Sequence, residues 1–124
     1  MRYLHPDVLD NGPAHIRANA IRALVLPFYT TNYSQAVASA LVTATIAPSD
    51  FTLSNEGTGR KMVFGGVTEQ ATGGIALSNN VHIAYTDGSA RLLWVEGVQP
   101  SVIIAGQNYK LPVQTLISPQ PQEQ

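Results

Sequence analysis

The sequence contains no cysteine. That absence removes disulfide staples, zinc–thiolate sites and thiol nucleophiles together. Charge is scarce as well. Asp, Glu, Lys and Arg make up 12% of the 124 residues, about half the usual share of roughly 25%. The seven Lys and Arg residues are scattered, and the net charge is −1. A nucleic-acid binder draws most of its affinity from a basic stripe that neutralises phosphates, and the sequence has no such stripe. No apolar run reaches the length of a membrane-spanning helix. The opening MRYLHPDVLDNG lacks the continuous apolar stretch of a signal peptide, so none is expected. Without secretion, the Asn32-Tyr33-Ser34 match to the glycosylation pattern reads as chance.

Thr, Ser, Asn, Gln, Gly and Ala fill the space that charged residues leave. A chain of this length is the size of one domain. It buries roughly two-thirds of its unfolded surface, enough for a core without staples. A weakly charged surface repels its neighbours little, which suits a protein that ends up packed against other protein.

Helical signals are confined to the first third. Pro13 fits the first turn of a short helix over residues 14–20, where its missing N–H costs nothing, with Asp10 or Asn11 as cap. Ile16 and Ala20 share one side of that helix. Residues 21–28 (IRALVLPF) read as a strand, and Pro27 implies an edge position or the strand's end. The Thr30-Thr31-Asn32 loop is placed to cap a second short helix over 34–38.

From residue 41 onward the pattern is β. Residues 41–47 alternate, and strands are expected at 51–54, 61–64, 67–71, 75–86, 91–97, 102–105 and 109–117. The loop over 55–59 makes 51–64 a hairpin candidate of the longer-loop kind. Gly, Pro and Asn between short strands give the pattern of an antiparallel β-sandwich or jelly roll. The expected fold is therefore mostly β, with one or two short helices near the N-terminus. Residues 1–12 form an N-terminal arm, 13–118 a single sandwich domain, and 119–124 a flexible tail with no apolar anchor.

The segment VHIAYTDGSARLLWV, residues 81–95, holds His82, Asp87 and Ser89, the residue types of a hydrolase triad. Asp-Gly is also the strongest short hairpin signal, because a type I′ turn needs positive φ at both central residues. A two-residue turn at Asp87-Gly88 pairs Thr86 with Ser89, Ile83 with Leu92 and Val81 with Trp94. A three-residue loop with a bulge is the alternative and shifts that pairing. In the two-residue register His82 lies about four rises of about 3.4 Å from the tip, too far to act as base for Ser89, and no nucleophile-elbow pattern is present. The hairpin is the preferred reading. Trp94 reads as core, with an interface anchor as the alternative. Bulk on both faces of residues 91–95 favours an inner strand, or one covered by a partner.

Other chemistry fares no better. Gly57-Thr58-Gly59-Arg60-Lys61 is followed by Met-Val-Phe rather than by Ser or Thr and a helix, so it does not fit a Walker loop. His5, Asp7, Asp10 and His15 match no metal-ligand spacing. The acids Glu56, Glu69, Glu96 and Glu123 are dispersed, which gives no carboxylate pair for glycosidase work. No catalytic residue, cofactor or metal ligand is expected.

Several blocks, taken in order, carry a resemblance. They are Val8-Leu9-Asp10-Asn11-Gly12 with Ala18-Asn19-Ala20, then Asn32-Tyr33-Ser34-Gln35-Ala36, then Gly59-Arg60-Lys61, and His82-Ile83-Ala84-Tyr85-Thr86-Asp87-Gly88-Ser89 followed by Leu92-Leu93. In that order and spacing the chain resembles a family of small structural proteins of tailed bacteriophages, over about residues 8–117. It departs from the family in Pro13, where an apolar residue is usual, and in its Pro- and Gln-rich tail. The resemblance implies a non-enzymatic virion component, foremost a decoration or cement protein on the outer capsid that binds the major capsid protein. A neck, tail or fibre-associated position is the runner-up. It also implies homo-oligomeric assembly in the host cytoplasm, with neither nucleic acid nor membrane as partner. Arg2, Tyr3 and Leu4, on an arm that orders on binding, are candidate capsid or subunit contacts, together with Trp94. A third reading is a carbohydrate-binding sandwich in which Tyr29, Tyr33, Tyr85 or Trp94 stacks on sugar.

Overall fold

The structure is a computed structural model, and it describes residues 2–5, 13–56, 59–78, 80–89, 91–99 and 101–118. It is mostly β, with antiparallel sheets and two short helices in a sandwich-like arrangement. The main sheet has five strands: β1 (Arg2–Leu4), β2 (Arg22–Leu26), β3 (Val42–Thr45), β8 (His82–Thr86) and β9 (Leu92–Gly97), in the order β1-β9-β8-β2-β3. Its counterpart has three: β4 (Phe51–Glu56), β5 (Gly59–Phe64) and β12 (Gln114–Ser118), in the order β12-β5-β4. Two small ladders join β6 (Thr68–Gln70) to β11 (Asn108–Lys110) and β7 (Ile75–Ser78) to β10 (Ser101–Ile103).

One core fills the space between the two larger sheets. Alternation sends Ala23 and Val25 of β2, Val42 and Ala44 of β3, and Ile83 and Tyr85 of β8 to the same side. Phe51, Met62, Phe64 and Leu116 meet them from the three-stranded sheet. Aromatic rings knit the layer: Tyr85 lies 5.1 Å from Phe64, 5.9 Å from Phe51 and 4.6 Å from Trp94, stacked on the last at 15°. Helix α1 (Pro13–Asn19) closes one side with Ile16, followed by Ala20, and Arg17 Nε donates to the Phe51 carbonyl at 3.3 Å. The expected inward pair Ile16 and Ala20 is fully buried.

The opposite face of the main sheet carries a second, smaller cluster of Leu24, Leu26, Ala84, Leu92 and Val95. Helix α2 (Tyr33–Ser39) covers it with Ala36, and Tyr3, Tyr29 and Tyr33 pack around it. Asn32 caps this helix, its Oδ1 accepting from Gln35 N at 2.9 Å. A cap was expected in that loop, and its chemistry is the usual one for a short polar side chain ahead of a helix.

Several expectations need correction. The β8–β9 hairpin does not turn at Asp87-Gly88 alone. Tyr85 pairs with Trp94 and Ile83 with Glu96, so five residues, 87–91, form the connection. No described non-glycine residue has positive φ, which denies Asp87 the type I′ conformation. The register also slips between Tyr85 and Thr86, whose partners are Trp94 and Leu92, leaving Leu93 as an extra residue. Such a bulge lets Leu93 and Trp94 both enter the aromatic core while Leu92 and Val95 serve the other face.

The expected strands over 75–86 and 109–117 each correspond to two strands, β7 and β8 in the first case and β11 and β12 in the second. The 51–64 hairpin is tighter than the anticipated five-residue loop, because the ladder runs on to Glu56↔Gly59. Arg2–Leu4, expected on an arm that orders on binding, is instead the edge strand of the main sheet, with Tyr3 opposite Val95 and Leu4 opposite Trp94. His5 N continues the pairing to the Leu93 carbonyl at 3.0 Å. The arm's remaining residues 6–12, with the expected Asp10 or Asn11 cap, lie outside the described residues, as does the tail 119–124.

Candidate functional site

His82, Asp87 and Ser89 are not assembled into a triad. Asp87 and Ser89 do touch, but as parts of a turn. Asp87 Oδ1 accepts from Ser89 N at 3.0 Å, Ser89 Oγ at 3.2 Å and Arg91 N at 3.1 Å. One carboxylate oxygen thus satisfies three donors of the loop, the local bonding for which Asp is favoured in turns. Thr86, buried at the strand's end, donates its hydroxyl to the Arg91 carbonyl at 2.7 Å and accepts from Gly88 N at 3.1 Å. His82 sits at the other end of β8, opposite Gly97. Its Nδ1 lies 2.6 Å from the Asn80 carbonyl, and its ring meets Tyr29 edge-on at 5.5 Å.

The proposed contact residues are dispersed by role. Trp94 is fully buried, so it belongs to the core and presents nothing to a partner. The same holds for Tyr85, which corrects the idea that either ring stacks on a sugar. Tyr3 and Leu4 are half-buried on β1, one on each face of the main sheet. Arg2 lies opposite Glu96 in the backbone ladder. Burial, and then the charge of Tyr29, raise the Tyr3 phenol above its ordinary pKa. Of the phosphate-loop candidate Gly57-Thr58-Gly59-Arg60-Lys61, the last three residues lie on strand β5, where Arg60 and Lys61 pair with β4 on one side and β12 on the other; Gly57 and Thr58 fall outside the described residues. His15, from the metal candidates, lies on α1, where Asn19 Nδ2 donates to its carbonyl at 2.9 Å. Among the described residues no three His, Asp or Glu side chains gather as a metal site; Asp7 and Asp10 fall outside them.

A hollow of about 270 Å³ lies where the end of β9 meets the start of β12. Its wall includes Glu96, Gln99, Pro112, Val113, Gln114 and Thr115. Two of these are fixed from behind by buried rings. Tyr85 OH donates to Gln114 Oε1 at 2.5 Å, and Trp94 Nε1 donates to Glu96 Oε1 at 3.3 Å. Since Tyr85 and Trp94 stack on one another, the amide and the carboxylate hang from a single rigid unit. Burial, and then the Glu96 charge, push the Tyr85 phenol well above its ordinary pKa. Its proton therefore stays on, held toward Gln114.

The sequence reading missed this arrangement. Glu96 was noted only as one dispersed acid, and Gln114 not at all. Gln114 did carry a faint signal, because alternation puts it on the same face as the apolar Leu116. A polar residue at an inward position needs a buried partner, and Tyr85 supplies it. No family model, curated protein or solved structure matches this chain.

Proposed function

We propose that the chain is a non-enzymatic virion structural protein of a tailed phage, a decoration or cement protein that binds the major capsid protein on the outer surface of the head. One observation carries the reading. In several blocks of the phage-family resemblance, side chains of described residues do structural work. Asn32 caps α2 and Ala36 is its buried contact. Asp87 organises the turn, and Leu92 and Leu93 fill the cores on the two faces of the main sheet.

The surface supports the same reading. Ile21, Val37, Val102, Ile104 and Val113 are each about half exposed, on a chain with a net charge of −1. Little electrostatic repulsion opposes close packing of many copies beside one another. Stabilisation of a head is then multivalent: each contact is weak, and many linked contacts resist expansion by avidity.

Quantitative mass spectrometry of purified virions tests the proposal. A copy number that scales with the capsomers is expected, along with heads that expand or rupture at lower temperature when the protein is stripped off. A low, ring-like copy number would move the chain to the neck or tail. Absence from virions would sink the virion reading.

A further inference from the structure

We propose that the tyrosine-rimmed outer face of the main sheet receives the Pro119-Gln120-Pro121 segment of a second copy of this chain, so that copies join head to tail. Tyr3, Tyr29 and Tyr33 all pack around the small outer cluster, and each is half-buried. They come from three separate places: strand β1, the loop after β2, and the first residue of helix α2. The charge of Tyr29 is felt at the Tyr3 phenol, so those two side chains lie close together. None of the three hydroxyls has a hydrogen-bond partner among the described residues, and none is a buried orphan. A floor of Leu26, Ala84 and Val95, rimmed by rings that carry open hydroxyls, offers apolar contact and donors at once.

The segment after β12 has the complementary chemistry. Residues 118–122 read Ser-Pro-Gln-Pro-Gln. Each proline fixes its own φ and turns the residue before it away from helix, which biases the stretch to polyproline II. That helix makes no internal hydrogen bonds, so its carbonyls are open to outside donors. Pro119 and Pro121 also lack an N–H, which leaves acceptors that tyrosine hydroxyls can serve. With three residues per turn, the two proline rings stand on two of the three edges of the helix and bound one face. Aromatic-lined surfaces recognise such a face, and its preset shape lowers the ordering cost of binding.

Reach decides which copy supplies it. Ser118 ends β12, opposite Arg60, in the sheet that packs on the inner face of the main sheet. Pro121 is three residues further on, at most about 11 Å away. Packed sheets lie about 10 Å apart, and the tyrosines stand beyond the main sheet, on its far face. The chain would have to round a sheet edge as well, so a copy does not reach its own tyrosines with Pro119-Gln120-Pro121. A contact between two different surfaces is heterologous, and it closes as a ring or runs on as a filament. The inference needs no capsid partner and stands or falls apart from the capsid reading.

Sedimentation of the purified full chain over a range of concentrations tests this, with the tyrosine ring resonances followed by NMR. Mass should rise with concentration, and the Tyr3, Tyr29 and Tyr33 signals should move with it. A synthetic SPQPQEQ peptide at millimolar concentration should reproduce those shifts and dissociate the assemblies. Pro119→Gly combined with Pro121→Gly, in the full chain, should weaken association about tenfold by releasing the preset backbone. Tyr29→Phe and Tyr3→Phe keep the ring and remove one donor each, and should weaken peptide binding about three- to tenfold. If a tyrosine variant does not fold, the proline variant and the peptide carry the test. Lys110→Ala, on the ladder of β6 and β11, should leave association unchanged. A chain that stays monomeric up to millimolar concentration overturns the proposal. So does association that persists undiminished in both the proline and the tyrosine variants. Ring shifts that the proline variant alters in the dilute monomer overturn it by making the chain's own tail the occupant. Ring shifts with free hexoses and none with the peptide overturn it in favour of a sugar.

Discussion

The two faces of the main sheet solve the same burial problem differently. The inner face is aromatic and deep: Trp94, Tyr85, Phe64 and Phe51 lie in edge-on, tilted and stacked contacts, closed by a second sheet. The outer face is shallow. Leu24, Leu26, Ala84, Leu92 and Val95 are buried there, but β3 contributes only exposed Thr43 and Thr45, and the cover is a seven-residue helix with half-buried tyrosines. Aromatic pairs add about 0.5–1.5 kcal/mol each beyond area burial, so the inner face should dominate stability. The outer face is left with less cover and closer to solvent.

Core truncations on the two sides give the largest test of that contrast. Trp94→Ala should cost about 3–5 kcal/mol, and Leu26→Ala, toward the lower end of about 2–5 kcal/mol. Equal shifts of the denaturation midpoint would break the comparison. Alkaline titration asks the same question through protons. Tyr85 holds its proton more tightly folded than unfolded. The stability it contributes is therefore complete below about pH 10, the unfolded phenol value, and is lost as pH rises beyond it. Tyr85→Phe should flatten that alkaline loss, read by circular dichroism against pH.

Smaller effects come from the periphery. Gly88 has φ +80°, and a Cβ there would strike the Ile21 side chain. Gly88→Ala should lower stability by about 1–2 kcal/mol from the backbone alone, while Gly106→Ala, with φ +85° but open space around it, should suffer only that term. Thermal melts of the two variants separate conformation from contact. Asn32→Ala removes the α2 cap that secures the outer cover and should cost about 1 kcal/mol. Exchange protection at Ala36, whose N–H donates to the Asn32 carbonyl, should drop before that at Val25 if the outer face opens first.

The sequence by itself determined the class of the fold and the inward residues of many elements. Period-two alternation marks Val42, Ala44 and Ile46 without reference to anything distant. Pro13, Asn32 and the Gly and Pro breaks act through local backbone geometry, so their effects are written where they stand. The weak charge likewise needed only counting.

Register and convergence were decided by the tertiary structure alone. Asp87-Gly88 looks like a two-residue turn locally. The demand that Trp94 lie against Tyr85, and that Leu93 enter the same core, draws the pairing to a five-residue connection with a bulge. Residues 2–4 have no local signal for a strand, and β9's unpaired edge supplies the hydrogen bonds that make them one. The Glu96–Gln114 hollow joins strand ends 18 positions apart (114 − 96) through two stacked rings. No spacing rule reaches across that gap, because the contact is set by how two sheets pack.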